Sequence, residues 1–495
     1  MEPHEAVLLA ALHVGKKRVR AILHAGFIAW EPSNPKQAHE RHQVPLTDIV
    51  TVLCSGATFT LVYGKRRPSS HEWRLQRTTF VASDATTAEA WTAEARRQIE
   101  AQKHRPRRVL VFINPYGGRR AAPRIYERRV RPLLELAGIE AEEIVTERPQ
   151  QIRETLLEAS LDNFDGIACV GGDGTFSELF NGLVARECRD AGVPMTSASL
   201  PRPRIPLAVI PGGSTNTVAF CMHGTDDPTT CAMHLVLGQR AGLDLCSTTS
   251  SDPEGARLYA SVLSYGYLGD IAKESERYRW MGPRRYDYSG LRKFLGNRGY
   301  RGEVSVLLDH SDPAAETSKC VEGCERCNAP VDDATEAPTS DTETPWQVIR
   351  GKFLMVNGAN ISCACRRSPC GMSPSCHLAD GCVDVILVNH THIFNNLRLL
   401  LRLSSRKGSV AQLPFVRVLR ARGFHFRPHD GGNGSGAATG SQQPIAPSGG
   451  KQSVWNCDGE VLTEGEATIR PHRQLVTVFR RPLVDPEEPG CALCS

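Results

Sequence analysis

No stretch of this 495-residue sequence approaches the roughly 18 consecutive apolar residues that a helix needs to cross a bilayer. Any membrane contact is therefore expected to be peripheral. The opening residues, Met1 to Arg20, hold only a short apolar stretch, with basic residues after it rather than before it, which is not the pattern of a secretory leader. No internal repeat is visible. The glycine-rich turns contain no G-x-x-x-x-G-K-[ST], which excludes a Walker-type phosphate loop. Acidic residues are missing altogether from 385–429, a stretch that carries eight Lys and Arg.

What is present begins with charge. The 59 Lys and Arg against 54 Asp and Glu leave a formal +5, too little for a histone-like or polybasic protein. The basic stretches also lack a nucleic-acid recognition motif, so no nucleic-acid partner is expected. The balance is uneven along the chain. Residues 309–345 hold ten acidic and two basic side chains, a local −8, so the remainder carries +13. With 40% hydrophobic and 23% charged residues the composition is that of an ordinary globular protein, and the length allows two to four domains. Seventeen cysteines in a chain without a leader predict free or metal-bound thiols in a reducing compartment.

The pattern divides the chain into three, which predicts a multidomain protein. Residues 1–101 read as strands over 19–28, 49–53, 59–62, 72–76 and 78–81, with Gly64-Lys65-Arg66 as a turn. Ser83-Asp84 then offers an N-cap, and Ala88, Trp91, Ala95 and Ile99 share one helical face. Strands closed by one amphipathic helix resemble a pleckstrin-homology (PH) β-barrel. Residues 106–245 alternate strand and helix: strand 108–113, helix 125–137, a strand starting at Ile144-Val145, helix 151–160, strand 166–170, a helix with Phe176, Leu179, Phe180 and Leu183 on one face, and strand 207–210. Such alternation predicts a Rossmann-like α/β domain whose parallel sheet binds ligands at its carboxyl edge. Residues 246–482 predict a β-rich sandwich with strands at 258–263, 302–307, 348–356, 384–388 and 475–479. Mobile insertions at 309–345 and 428–453 are expected to interrupt it.

Three glycine-rich turns fall at the carboxyl edge of the α/β unit: Asn114-Pro115-Tyr116-Gly117-Gly118, Gly171-Gly172-Asp173-Gly174, and Pro211-Gly212-Gly213-Ser214-Thr215-Asn216. Glycines let backbone N–H groups approach phosphate closely, and a following helix turns its positive end toward the same anion. A carboxylate there repels phosphate unless it binds a metal ion or takes a proton from a hydroxyl. Each turn alone is a weak signal; together, in this order on successive strand ends, they are specific.

These turns, with Thr175, Glu178 and the late Asp458-Gly459-Glu460, resemble the diacylglycerol-kinase-type (NAD-kinase-like) catalytic domain of lipid kinases. Finer segments resemble the ceramide kinase family: Cys320-x-x-x-Cys324-x-x-Cys327, Ser362-Cys363-Ala364-Cys365, Tyr265-Gly266-Tyr267-Leu268-Gly269-Asp270, Arg285-Tyr286-Asp287-Tyr288 and Trp455-Asn456-Cys457. An N-terminal PH domain before the kinase unit is that family's layout. The resemblance implies an ATP- and Mg2+-dependent transfer of phosphate to the primary hydroxyl of ceramide, with Asp173 as general base. It also implies that Asn114, Pro115, Tyr116, Gly117, Gly118, Thr146, Glu147, Arg148, Pro149, Gln150, Glu178, Gly213, Ser214, Thr215, Arg279, Arg285, Asp458, Gly459 and Glu460 serve the nucleotide. Gly171, Gly172, Asp173, Gly174 and Asp270 are placed at the lipid. Sphingosine or diacylglycerol kinase activity, or an inactive lipid-binding scaffold, are the alternatives.

Three further features bear on partners. Lys65, Arg66 and Arg67 form a basic group that a phosphoinositide headgroup suits, or a solvated turn. Residues 393–407 interleave Phe394, Leu397, Leu400, Leu401 and Leu403 with Arg398, Arg402, Arg406 and Lys407, a basic amphipathic helix suited to an anionic membrane, to calmodulin, or to a core. Cys320, Cys324 and Cys327 supply three soft ligands, with Cys363, Cys365, Cys370 or Cys376 as a fourth if a metal binds; otherwise they are reduced thiols in a loop. The expected location is the cytoplasm, peripherally on Golgi or plasma membrane.

Overall fold

The computed structural model describes residues 6–33, 41–68, 70–118, 120–250, 256–282, 284–309, 320–329, 346–405, 408–429 and 452–484. Most of both expected insertions, together with Arg406 and Lys407, therefore lies outside the described residues, as does the side chain of Arg279.

Seven antiparallel strands come first: β1 (Ala6–Val14), β2 (Lys17–His24), β3 (Phe27–Pro32), β4 (His42–Pro45), β5 (Ile49–Ser55), β6 (Thr58–Arg66) and β7 (Trp73–Val81), in the order β4-β3-β2-β1-β7-β6-β5. β1 and β7 pair only at His13↔Val81 and Val14↔Phe80, so the sheet folds over at that corner. Trp30 of β3 meets Phe80 of β7 edge-on at 5.3 Å, and the two halves of the sheet thus close on one aromatic core. Helix α1 (Ala85–Glu100) covers it, with Trp91 stacked on Phe59 at 5.7 Å. Asp84 caps α1 by accepting from the Thr87 N–H at 2.7 Å, and the buried face is the expected Ala88, Trp91, Ala95 and Ile99. Three expectations are corrected. The strand over 19–28 is broken by a bend at Ala25-Gly26. The segments 72–76 and 78–81 merge into one strand, β7, which starts at Trp73. Gly64-Lys65-Arg66 is no turn but strand, paired with Leu75, Arg74 and Trp73. A Cβ at position 64 would lie 2.4 Å from the Met233 sulfur, so a larger residue there would force that side chain to shift.

The middle of the chain runs β8 (Arg108–Ile113), α2 (Ala122–Ile125), α3 (Arg131–Leu136), β9 (Glu140–Val145), α4 (Gln151–Glu158), β10 (Gly166–Gly171), α5 (Asp173–Ala191), β11 (Leu207–Pro211), α6 (Thr217–His223) and α7 (Pro228–Leu237). β9, β8, β10 and β11 are parallel neighbours in that order. β8, β10 and β11 are almost wholly buried apolar runs, as a sheet covered on both faces requires. The helix expected over 125–137 is instead α2, a π turn at Tyr126–Val130 and α3. Pro132 lacks the N–H that a continuous ladder needs there. The strand expected to start at Ile144-Val145 ends there. β9 is an edge strand whose Glu140, Glu142 and Glu143 are exposed, so its apolar signal covers only its last two residues.

The remainder comprises β12 (Arg240–Thr249), β13 (Arg257–Tyr259), β14 (Val262–Gly266), α8 (Tyr267–Ser275), α9 (Arg284–Gly296), β15 (Tyr300–Leu308), α10 (Glu325–Asn328), β16 (Gln347–Ala359), β17 (Val383–Asn389), α11 (Ile393–Ser404), β18 (Val416–Pro428), β19 (Trp455–Cys457), β20 (Glu460–Leu462) and β21 (Ala467–Phe479). Its strands do not stand apart from the parallel sheet. β21 pairs antiparallel with β12 and β18, and parallel with β11 at Leu207↔Val478. One sheet therefore runs β20-β19-β14-β16-β15-β18-β21-β11-β10-β8-β9. Its C-terminal half packs on Tyr259, Tyr265, Phe353, Phe424, Phe426 and Trp455. The strand expected over 258–263 is divided at Ala260-Ser261. The sequence reading did not find α8 and α9. In α9 only Ser289 is buried, so there is no inward apolar stripe to read.

Candidate active site

The three glycine-rich turns meet at the carboxyl ends of β8, β10 and β11. Asn114 shapes the first: its side-chain oxygen accepts from the N–H groups of Tyr116 (2.9 Å) and Gly117 (3.2 Å), and its Nδ2 donates to the Thr175 hydroxyl at 2.9 Å. Asn216 shapes the third, accepting from the Gly213 N–H at 2.8 Å while its own backbone is left-handed at φ 55°. The turns touch backbone to backbone. A Cβ on Gly213 would lie 2.5 Å from the Gly172 Cα, and one on Gly118, at φ 54°, would lie 2.8 Å from the Gly213 carbonyl carbon. Here glycine is needed for contact between loops as well as for conformation. Ser214 and Thr215 are exposed at the tip of the third turn.

Asp173 is the first residue of α5, beside these turns. Its two carboxylate oxygens accept from the N–H groups of Thr217 (3.0 Å) and Val218 (2.9 Å) at the start of α6. Burial raises its pKa against the opposing effect of those N–H groups. A carboxylate held in one orientation, with proton affinity above the ordinary, is the form a general base requires.

Asp458 returns from the far end of the sequence to the same place. It sits at φ 46° in the turn between β19 and β20. Its carboxylate accepts from the N–H groups of Ala260 (2.7 Å), Ser261 (3.0 Å) and Val262 (3.2 Å) and from the Ser261 hydroxyl. This explains the break between β13 and β14: the chain there bends around a buried carboxylate. Burial pushes the Asp458 pKa up to about 6, and the nearby Asp173 charge adds to the rise. Glu178, one turn into α5, accepts from the Ile152 N–H at 2.8 Å and so caps α4. Its pKa is raised by burial and further by the charge of Glu460, which is exposed on the hairpin with Gly459. Asp173 with Asp458 and Glu178 with Glu460 are thus two pairs of like-charged neighbours, in each of which one carboxylate raises the proton affinity of the other. A divalent cation relieves such repulsion, and oxygen donors suit Mg2+.

The 146–150 segment follows β9 at the same edge. Thr146 is buried, and its N–H continues the sheet by donating to the Ile113 carbonyl at 2.9 Å. Gln151 accepts from the Glu147 N–H at 2.7 Å, and Arg148 is paired with Glu154. Pro149 precedes Gln150, which turns the chain into α4 at φ 66°.

The remaining expected residues lie apart from these turns. Asp270, in α8, is buried and accepts from the Tyr300 hydroxyl (2.5 Å) and the Ser453 hydroxyl (2.6 Å), with the Lys293 ammonium 3.7 Å away. Its helix packs on β19 and β20, the strands that carry Asp458-Gly459-Glu460. Arg285 pairs with Glu276 at 3.3 Å and lies over the Tyr286 ring, engaged within its own segment. Lys65 and Arg66 stand in β6, and Arg67 pairs with Glu72 at 3.3 Å. Cys320, Cys324 and Cys327 meet His377, not any of Cys363, Cys365, Cys370 or Cys376. Cys363 and Cys376 instead donate toward the carbonyls of Ile361 (3.3 Å) and Ala359 (3.6 Å). His377 is easily missed, because it stands 50 residues beyond Cys327 and outside any paired spacing.

Comparison with known proteins matches this architecture. Residues 108–248 match the family model of the diacylglycerol kinase catalytic domain, and residues 261–494 that of the ceramide kinase C-terminal domain. The chain is 38% identical to a ceramide kinase of Homo sapiens over 86% of its own length and 83% of the relative's. It is 27% identical to a ceramide kinase of Arabidopsis thaliana, over 82% of this chain and 78% of that one. A solved chain from Bacillus anthracis str. Sterne, described as a candidate diacylglycerol kinase, shares the fold. Its TM-score is 0.50 at 16% identity, covering 76% of this chain and 96% of that one. The chain belongs to the ceramide kinase family.

Proposed function

We propose that this protein transfers the γ-phosphate of ATP to the primary hydroxyl of ceramide, making ceramide 1-phosphate. The observation that carries the reading is Asp173, fixed between α5 and α6 where three glycine turns meet, in a chain whose C-terminal half matches the ceramide kinase model. The turns present backbone N–H groups to the phosphates, and 146–150 and 458–460 border the nucleotide. Asp173 accepts the hydroxyl proton as the lipid oxygen bonds to the γ-phosphorus and the bond from that phosphorus to the ADP oxygen breaks. Mg2+ would be held by the nucleotide's phosphates together with Glu460 and its neighbouring carboxylates, and supplies charge neutralisation. Asp270, with Tyr300, Ser453 and Lys293, forms a polar node suited to orienting the lipid's polar end.

Two helices support reading one side of the molecule as membrane-facing. α11 buries Asn396 and Leu399 but exposes Phe394 (76%) and Leu401 (64%). Beside it, α9 exposes Leu295 (66%), Tyr286, Tyr288 and Leu291, with Trp280 (82%) just before it. Asn297 binds the two helices together, accepting from Asn396 at 2.7 Å and donating to the Thr391 carbonyl at 3.0 Å. Exposed apolar side chains flanked by arginines suit the boundary of an anionic bilayer. Lys293 of α9 reaches the Asp270 node, so the lipid-facing surface adjoins the polar node. We read the protein as cytoplasmic and peripherally associated with Golgi or plasma membrane, and the exposed apolar side chains of α9 and α11 support the peripheral part of that reading. Calmodulin is the weaker reading for 393–407, because wrapping α11 would require its buried face to leave the core. The N-terminal unit is read as PH-like. A phosphoinositide at Lys65–Arg67 would compete with the Arg67–Glu72 pair, so the α9 and α11 face is the primary contact.

The test is a kinase assay of the full chain on vesicles containing ceramide, sphingosine or diacylglycerol. Ceramide is expected to be preferred; preference for either of the others overturns the assignment.

A further inference from the structure

We propose that Cys320, Cys324, Cys327 and His377 bind one structural zinc ion that fastens the 320–329 segment across the seam between the parallel sheet and the C-terminal strands. The four donor atoms lie within 4.8 Å of one another. Cys320 and Cys327 sulfurs are 3.6 Å apart, and the His377 Nδ1 is 3.1 Å from the Cys324 sulfur and 3.8 Å from that of Cys327. Tetrahedral zinc with bonds of about 2.3 Å to sulfur and about 2.0 Å to nitrogen requires donor separations of roughly 3.5–3.8 Å. The observed separations bracket that range, so side-chain adjustments of about 1 Å or less bring the four donors to that geometry. A disulfide between Cys320 and Cys327 needs the sulfurs at about 2.05 Å, far closer than they stand. Four protein donors leave no open position, which makes the site structural rather than catalytic.

The surroundings hold the ligands in place. The Cys327 carbonyl accepts from the Gln474 amide at 2.9 Å, and the Arg473 guanidinium donates to the carbonyls of Arg326 and Ala329, both at 2.9 Å. Both partners belong to β21, the strand shared by the two halves of the sheet. On the histidine side, the Leu378 carbonyl accepts from the Asp244 N–H at 2.8 Å, and the Asp244 carboxylate accepts from Gly381 and Gln474, each at 2.6 Å. Arg326, between Cys324 and Cys327, pairs with Asp309 at 3.0 Å and Asp380 at 3.7 Å. Ligands bound on both sides by backbone and charge are the supporting shell that metal sites use.

The full chain, purified without chelator, is expected to carry about one zinc per molecule by elemental analysis, released as a mercurial titrates its thiols. Cys324→Ser and His377→Gln should lose at least nine-tenths of it. His377→Cys, which restores four soft ligands, and Cys54→Ser, at an exposed cysteine of β5, should keep it. Adding a strong chelator to the unaltered chain should lower its melting temperature. Zinc-free protein that takes up none from added zinc, undiminished zinc in Cys324→Ser and His377→Gln, or a Cys320–Cys327 disulfide in the purified chain would each overturn the proposal. The mercurial and uptake measurements need no variant, so misfolding of one does not decide the result.

Discussion

Asp173 is held by two backbone N–H groups, and this sets what its substitution will do. Asparagine has the same shape but only one accepting oxygen, so Asp173→Asn leaves one of those N–H groups unmatched and should cost about 1–3 kcal/mol of stability, while the fold is kept and phosphorylation falls by at least about 100-fold, the scale of general-base assistance. Retained turnover would place the base elsewhere. The sign of the pH dependence also follows. A base works deprotonated, and burial raises the Asp173 pKa, so activity should be lost as pH falls through a midpoint above the ordinary aspartate value of about 3.9. Asp458, pushed up to about 6 beside it, shares that titration, and the apparent midpoint belongs to the pair. A rate profile flat down to pH 4 would contradict this. Asp458 itself is an anchor. Asparagine there accepts with one oxygen only, so Asp458→Asn should cost about 1–3 kcal/mol in denaturant unfolding by leaving buried N–H groups at 260–262 unmatched.

At the scale of elements, the glycine turns and the outward helices make separate predictions. Gly213→Ala forces a Cβ to 2.5 Å from the Gly172 backbone, which cannot swing aside as a side chain can. The second and third turns must separate, and turnover should fall at least about 10-fold while the circular dichroism spectrum is kept. For the lipid-facing helices, Phe394→Glu with Leu401→Glu should weaken binding to anionic vesicles by about 100-fold or more, since each apolar side chain is worth at least about 1.5 kcal/mol when buried. Activity on detergent-dispersed lipid should persist; unchanged vesicle binding would remove this face from the membrane. These elements differ in how legible they were. β8, β10 and β11 are apolar runs that each lead into a glycine-rich turn, a pattern with one structural meaning, and α1 shows its buried face directly. α9 turns its apolar residues outward, so the rule that apolar positions mark the core misreads it. β9 carries its edge glutamates where a buried strand would carry valine. The role of Asp458 in bending 260–262 depends on a partner about 200 residues away, which no local pattern reports.

On the scale of the whole molecule, the N-terminal unit does not hang from a linker. The carboxylate of buried Asp227, at the start of α7, accepts from Arg74 at 3.0 Å and from Arg129 at 3.2 Å, while the Trp73 N–H donates to the Thr230 hydroxyl at 3.0 Å. Arg481, just past β21, reaches back to Asp48 at 2.6 Å and to the Thr47 carbonyl at 2.8 Å, and lies over the Trp73 ring at 4.5 Å. A residue from the end of the described chain thus clamps the first sheet to the last strand. Both members of the Arg481–Asp48 pair are largely buried, so removing one leaves a charge without its partner in a poorly solvated place. Truncation at Arg481→Ala loses two hydrogen bonds to a charged group and a cation–π contact, about 2–4 kcal/mol together. The cost falls on the contact between units rather than on either core. Calorimetry of the unaltered chain should accordingly show the N-terminal sheet melting with the kinase sheet in one transition. In Arg481→Ala the N-terminal sheet should melt earlier and separately, with the upper transition little changed. Two well-separated transitions in the unaltered chain, or a variant that melts as it does, would mean that this clamp does not couple them.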